Sequence, residues 1–171
     1  MRRAEAGPRR RILIVDGYNV INVRKPVRES LQLEDARRKL TDRLHDYAGY
    51  SGQQIILVYD AWLSNRMQRS VERHGALEVV FTMKGETADC YIERLCDELA
   101  EDISLRRAQV RVATSDNLEQ IIILGHGAVR VSASEFRQEV EAVNQSIRQV
   151  LEQSRAQGGG QRLRMPEQPL E

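Results

Sequence analysis

The feature that most constrains this chain is a regular exchange between two hydrophobic periods. Four short apolar, β-branched runs read as strands: RILIVD (11–16), QIILVYD (54–60), LEVVFT (77–82) and AQVRVATSD (108–116). AVRVS (128–132) is a weaker fifth. Between them, apolar residues recur at helical spacings of three and four. Leu33, Ala36, Leu40, Leu44 and Tyr47 form one such series, and Ala88, Ile92, Leu95, Leu99 and Ile103 another. Phe136, Val140, Val143, Ile147, Val150 and Leu151 form the last. Strand–helix alternation of this kind requires right-handed crossovers, so the expected fold is α/β, a mostly parallel sheet with helices on both faces. The strands are continuously apolar, as strands covered on both faces are.

Punctuation supports the division. Ser132 followed by Glu135 is a capping-box pattern opening the last helix. Gly125 and Gly127 close a short helix expected over 117–124. NRMQRSVERHG (65–75) reads as a further helix, with Arg66, Arg69 and Arg73 on one exposed face. At 171 residues the chain suits one domain, expected over 11–154. A basic arm over 1–10 precedes it. A tail over 155–171, with three consecutive glycines and two prolines, is expected to be disordered.

The totals exclude several classes. A net charge of +1 argues against a uniformly basic nucleic-acid coat and leaves room for a local basic patch. No apolar run approaches the roughly 18 residues of a membrane span. The amino-terminal MRRAEAGPRRR lacks the apolar segment of a secretory signal. Cys90 and Cys96 stand about 9 Å apart along a helix axis and can neither bridge nor share a metal there. They fit reduced thiols, so a cytoplasmic protein is expected.

Where the acidic residues fall is the chemical signal. Ligands of open parallel sheets bind outside the carboxyl ends of the strands, at the switch in strand order. The first strand ends on Asp16, the second on Asp60 and the fourth on Asp116, while the third feeds a loop carrying Glu86 and leading to Asp89. Each has a plain reading as a cap or turn residue. Together on one edge they would repel one another and raise each other's pKa unless a cation resolved the repulsion. Oxygen-only donors select Mg²⁺ or Mn²⁺, and His45, His74 and His126 are too scattered to offer a zinc site. Such sites serve phosphoryl chemistry. With no GxxxxGK[ST] and no GxGxxG, the target is a phosphodiester or phosphate ester.

VDGYNVIN (15–22), LVYDA (57–61), KGETAD (84–89) and VATSDN (112–117) together resemble the YacP-like group of NYN domains, a branch of the PIN-like nuclease superfamily. The group includes a ribosome-associated messenger-RNA endonuclease. The resemblance spans roughly residues 11 to 150. It implies a PIN-like three-layer sandwich with central strand order 3-2-1-4-5 and divalent-metal-dependent RNA cleavage by metal-activated water. It further implies that Asp16, Asp89 and Asp116 hold metal and that Asn19 lines the same pocket as a catalytic residue. Asp60, Glu86 and Glu93 are candidates for the outer shell, with Glu86 in a loop approaching substrate.

The expected substrate is single-stranded RNA, mRNA in particular, with the ribosome as an implied partner in mRNA decay. Arg24, Lys25 and Arg28, then Arg66, Arg69 and Arg73, then Lys84 follow strand ends and are candidates for the phosphate backbone, although solvated surface accounts for each singly. Tyr18 and Trp62 could stack on an unpaired base or simply pack. The rival reading is a non-catalytic RNA- or ribosome-binding module of the same fold.

Overall fold

A computed structural model describes residues 10–22, 31–61, 67–102, 108–115 and 127–158. Several expectations lie outside these residues: the basic arm before residue 10, the helix over 117–124, the tail after residue 158, and positions Arg24, Lys25, Arg28, Trp62, Arg66 and Asp116. The described elements are β1 (Arg11–Asp16), α1 (Gly17–Val20), α2 (Leu31–Ser51), β2 (Gln54–Tyr59), β3 (Ser70–His74), β4 (Leu77–Phe81), α3 (Ala88–Glu101), β5 (Gln109–Ala113), β6 (Val129–Val131) and α4 (Ala133–Gly158).

The strands form one sheet of order β3-β4-β2-β1-β5-β6. The pairs β4–β2, β2–β1, β1–β5 and β5–β6 are parallel. Numbered as the five runs read from the sequence, this is the expected order 3-2-1-4-5 with one strand added at the edge. The added strand is a correction. Residues 70–74, expected in a helix, pair antiparallel with β4 from Ser70↔Phe81 to His74↔Leu77. The sequence VERH has no apolar stripe to hold a helix on the body, and ladder hydrogen bonds to β4 decide its conformation. Its residues from Val71 to His74 are all exposed, as an edge strand with charged side chains is.

Alternate strand residues point to opposite faces and build two cores. Leu13, Val15, Ile55, Leu57 and Tyr59 face α2 and α4, meeting Leu44, Tyr47 and Phe136. Ile12, Ile14, Ile56, Val58 and Val112 face α3, meeting Ile92 and Cys96. Burying a Leu or Ile side chain in such a layer stabilises by about 2 kcal/mol, so a polar substitution on either face of β1 would break the sandwich. The expected helix spacing is therefore a packing fact, and three layers result.

Helix ends follow local chemistry. Gly52 adopts φ +64 after α2 and its N–H donates to the Ala48 carbonyl at 2.9 Å, a left-handed cap that suits glycine. Thr87 caps α3 by accepting from Cys90 N–H at 3.2 Å. At α4 the capping box forms: Glu135 N–H donates to Ser132 Oγ at 3.2 Å, and Ser132 N–H donates to Glu135 Oε2 at 3.0 Å. Helix α4 continues to Gly158, past residue 155 where the tail was expected to begin. No helix among the described residues is long and apolar enough to cross a membrane.

Candidate active site at the carboxyl edge of the sheet

The order of the strands creates a switch point beside β1. From β1 the chain crosses to β2 and β4 on one side, then returns to β5 and β6 on the other. A crevice between β1 and β5, outside their carboxyl ends, is where an open α/β sheet receives ligands. Most of the polar residues buried among the described ones gather at this edge. Asp16 ends β1; Asp60 follows β2; Thr82 follows β4; Thr114 follows β5; Glu86 lies between β4 and α3. Buried polar groups are expensive unless partnered, so their concentration on one edge of the sheet makes that edge the candidate site.

Asp16 is held by the residues just after it. Its backbone is extended, with φ −74 and ψ 104, so it serves as the N-cap of α1. Asn19 N–H donates to Asp16 Oδ1 at 3.1 Å, and Asn19 Nδ2 donates to Asp16 Oδ2 at 3.3 Å. The Asn19 side-chain oxygen then accepts from Ser115 N–H at 3.2 Å. One asparagine thus fixes both oxygens of the β1 carboxylate and ties them to the end of β5. Ser115 continues the chain of contacts, its Oγ accepting from Ala133 N–H at 3.2 Å at the start of α4. The sequence does not single out Ser115; its one signal is its place in TSD, between the end of the fourth apolar run and Asp116.

Glycine is required at position 17. A Cβ there would stand 2.3 Å from Tyr59 Cε1, 2.6 Å from Cδ1 and 2.9 Å from Cζ. The Tyr59 ring cannot retreat, being fully buried between Tyr18 at 5.1 Å and Phe81 at 5.4 Å between ring centroids. Burial also pushes the Tyr59 hydroxyl pKa up. Tyr18, a candidate for stacking on a base, is only 5% exposed, and its hydroxyl accepts from Arg37 Nη1 at 3.0 Å. It is a packing residue.

The other acidic residues divide. Asp89 sits half-buried in the first turn of α3, whose amino terminus follows β4 and opens onto the same edge. Asp60 is buried directly beyond β2, where Ala61 N–H donates to Thr82 Oγ1 at 2.8 Å and clamps the ends of β2 and β4. Glu93 is exposed on α3. Among the described residues no three of His, Cys, Asp and Glu lie together in a way that could hold a metal ion. The expected set of three includes Asp116, which follows Ser115 and is outside the described residues.

Glu86 has a different occupation from the one expected of it. It accepts from Arg69 Nε and Nη2, both at 2.7 Å, and from Arg94 Nη2 at 2.6 Å. The two guanidinium groups also lie over the Tyr91 ring, at 5.2 and 5.4 Å from its centroid. Arg69, followed by Arg94, holds the Glu86 carboxyl at about 2 against an ordinary 4.5. Glu86 is thus the anchor of the loop before α3, and Arg69, a candidate for phosphate, is engaged with it. Arg73 pairs with Glu78 at 3.1 Å, and Lys84 is exposed.

Comparison with known proteins agrees with this architecture. The model of the YacP-like NYN domain matches residues 13–171. The Bacillus subtilis (strain 168) protein named "Uncharacterized protein YacP" is 38% identical over 138 residues, covering 80% of this chain and 78% of its own. The crystal structure of Rae1 (YacP) from Bacillus subtilis superposes with a TM-score of 0.67 at 35% identity, over 86% of this chain and 83% of that one. A mutant of that protein, with leucine in place of one tryptophan, gives 0.66 at 36% identity, over 85% and 84%. Sharing sequence and fold along most of its length with these proteins, the chain belongs to the YacP-like NYN domain family, and that membership supports a nuclease-like, RNA-related function.

Proposed function

We propose that this protein is a divalent-metal-dependent endoribonuclease that hydrolyses single-stranded RNA, mRNA in the cytoplasm in particular, with the ribosome as a partner. The observation that carries the reading is the fixed Asp16 carboxylate at the switch point, gripped through both oxygens by Asn19, which is itself tied to the residue before Asp116. The donor chemistry fits a hard cation: the acidic groups of this edge offer oxygen only, and Glu86, neutralised by two arginines, stands apart from the set. Asp16, Asp89 and Asp116 would hold Mg²⁺ or Mn²⁺. When bound, the ion supplies positive charge for the phosphodiester's transition state and acidifies a nearby water.

The chain's own residues do the rest. Asn19 keeps Asp16 from rotating, which spares the site the reorganisation that a free carboxylate would need. The Glu86 anchor fixes the loop leading to Asp89. Hydrolysis joins the water oxygen to phosphorus and breaks the bond to the 3′ oxygen, leaving a 5′-phosphate and a 3′-hydroxyl that takes up a proton.

The test compares Asp16→Asn and Asp89→Asn with the native chain on RNA, free and on translating ribosomes, in Mn²⁺ and in EDTA. Asparagine caps a helix as well as aspartate does, so Asp16→Asn should fold normally. Each variant should lose cleavage by several orders of magnitude. Cleavage at native rates in both variants overturns the assignment. Absence of EDTA-sensitive cleavage by the native protein favours the non-catalytic binding module.

A further inference from the structure

The one-turn helix α1 has Asp16 at its start and a cation-lined cavity at its end. This cavity, of about 440 Å³, is lined by Val20, Asn22, Lys39, Leu40, Arg43 and Arg137 among others. Three elements meet there: the end of α1, the middle of α2 and the first turns of α4. Among the described residues its lining includes three cations and no carboxylate. A second cavity of about 550 Å³ shares Val20, Leu40, Arg43 and Arg137 with it, adds the carboxylate of Glu141, and continues the trough along α4. The trough is therefore most positive beside Asn22 and Lys39, at the close of α1. A four-residue helix spans about 6 Å, so this end lies within reach of a nucleotide neighbouring one that reacts at Asp16.

We propose that this cavity is a phosphate subsite for the RNA strand flanking the reacting phosphodiester, with Lys39, Arg43 and Arg137 as the residues that meet the phosphate. The inference rests on the endoribonuclease reading and gives that reading a strand path. None of these three residues stood out in the sequence. Three features of the structure support the assignment. Arg137 is fixed at the tip of α1, its Nη1 donating to the Val20 carbonyl at 2.9 Å. That bond uses one of the five N–H donors a guanidinium carries. Among the described residues, Lys39 and Arg43 pair with surface carboxylates, Asp35 at 2.6 Å and Glu141 at 3.7 Å, with each side chain more than a third exposed. Exposed pairs of that kind are weak, and a phosphate with its full charge can replace them. A volume of this size also matches a nucleotide-sized ligand.

The experiment measures binding of a short fluorescein-labelled single-stranded RNA by anisotropy in EDTA, over a series of KCl concentrations. The proteins compared are the native chain, Lys39→Gln/Arg43→Gln, Arg137→Gln, and a control, Arg38→Gln/Arg155→Gln, that removes two exposed charges outside the cavity. The logarithm of affinity should fall less steeply with salt in the cavity variants, by about 0.7 for each phosphate no longer engaged. Affinity at low salt should drop about tenfold in the double variant, and the control should match the native chain. In cleavage assays KM should rise and kcat stay unchanged. Native slope and affinity in the cavity variants overturn the subsite, as does an equal loss in the control. A native protein that binds RNA through these residues without cutting it leaves the subsite standing and removes the nuclease reading. A native protein that binds no RNA removes both.

Discussion

Replacing Gly17 by alanine tests the packing that sets Asp16 in place. Two effects oppose each other. Alanine is the better helix former, worth up to about 1 kcal/mol in a helix interior and less in a single turn. Against that, the new Cβ would meet three atoms of the Tyr59 ring at 2.3 to 2.9 Å, inside any tolerable contact. Tyr59 is 0% exposed and its ring is stacked on Phe81 at 5.4 Å, so relief requires moving a packed aromatic cluster or the backbone of α1. Overpacking of this kind costs about 1–3 kcal/mol, and the clash wins. The expected net loss is about 1–2 kcal/mol, a fall in Tm of roughly 3–6 °C for a domain of this size. The assay is urea unfolding of Gly17→Ala, Tyr59→Leu and the double variant. In the Tyr59→Leu background the ring is gone, so Gly17→Ala should become neutral or slightly stabilising, a coupling of about 1–2 kcal/mol. Because α1 carries Asn19, RNA cleavage should fall more than stability does. Native stability in Gly17→Ala, or an equal loss in both backgrounds, refutes the reasoning.

Other expectations follow from single contacts. Glu86 has a carboxyl held at about 2 where the ordinary value is 4.5. Across that window the unfolded chain binds more protons, so this contribution, on the order of 2 kcal/mol after allowing for the part-exposed arginines, is complete above pH 4.5 and lost as pH falls toward 2. Glu86→Gln should therefore be less stable than the native chain at neutral pH, with the gap closing in acid; a gap that is constant with pH in urea titrations would contradict this. Ser132→Ala removes both bonds of the Ser132 hydroxyl, the one accepted from Glu135 N–H and the one donated to Glu135 Oε2, and should cost about 1 kcal/mol, read as a fall of about 2–4 °C in Tm by calorimetry. Asn19→Ala should unlock the Asp16 carboxylate and lose most cleavage with little loss of secondary structure, measured by RNA cleavage beside circular dichroism. Retention of full activity would remove Asn19 from the site.

The edge strand β3 shows where reading along the chain stops working. Residues 70–74 have no period of their own, and what makes them a strand is the row of N–H and C=O groups that β4 presents. Glu86 shows the same limit in the site. Nothing in KGETAD says that Arg69 and Arg94, from before β3 and from the second turn of α3, converge on that carboxylate. Its place in the loop after the third strand suggested an outer-shell role near substrate, and the ion pairs gave it a role in holding that loop. Tyr18, open to either reading in sequence, was decided by the space between Tyr59 and Arg37.

By itself the sequence determined the local and periodic features: five parallel strands covered on both faces, the capping pair Ser132 and Glu135, and the placing of aspartates at strand ends. Those depend on neighbours within a few residues, so they are written in the order of the chain. Only the tertiary structure decided which distant groups meet: Asn19 with Ser115, Glu86 with two arginines, Gly17 with the Tyr59 ring, and Lys39, Arg43 and Arg137 around one cavity. Such meetings arise from how helices cross the sheet, and the pattern of apolar residues that drives the crossing is silent about which polar side chains it will bring together.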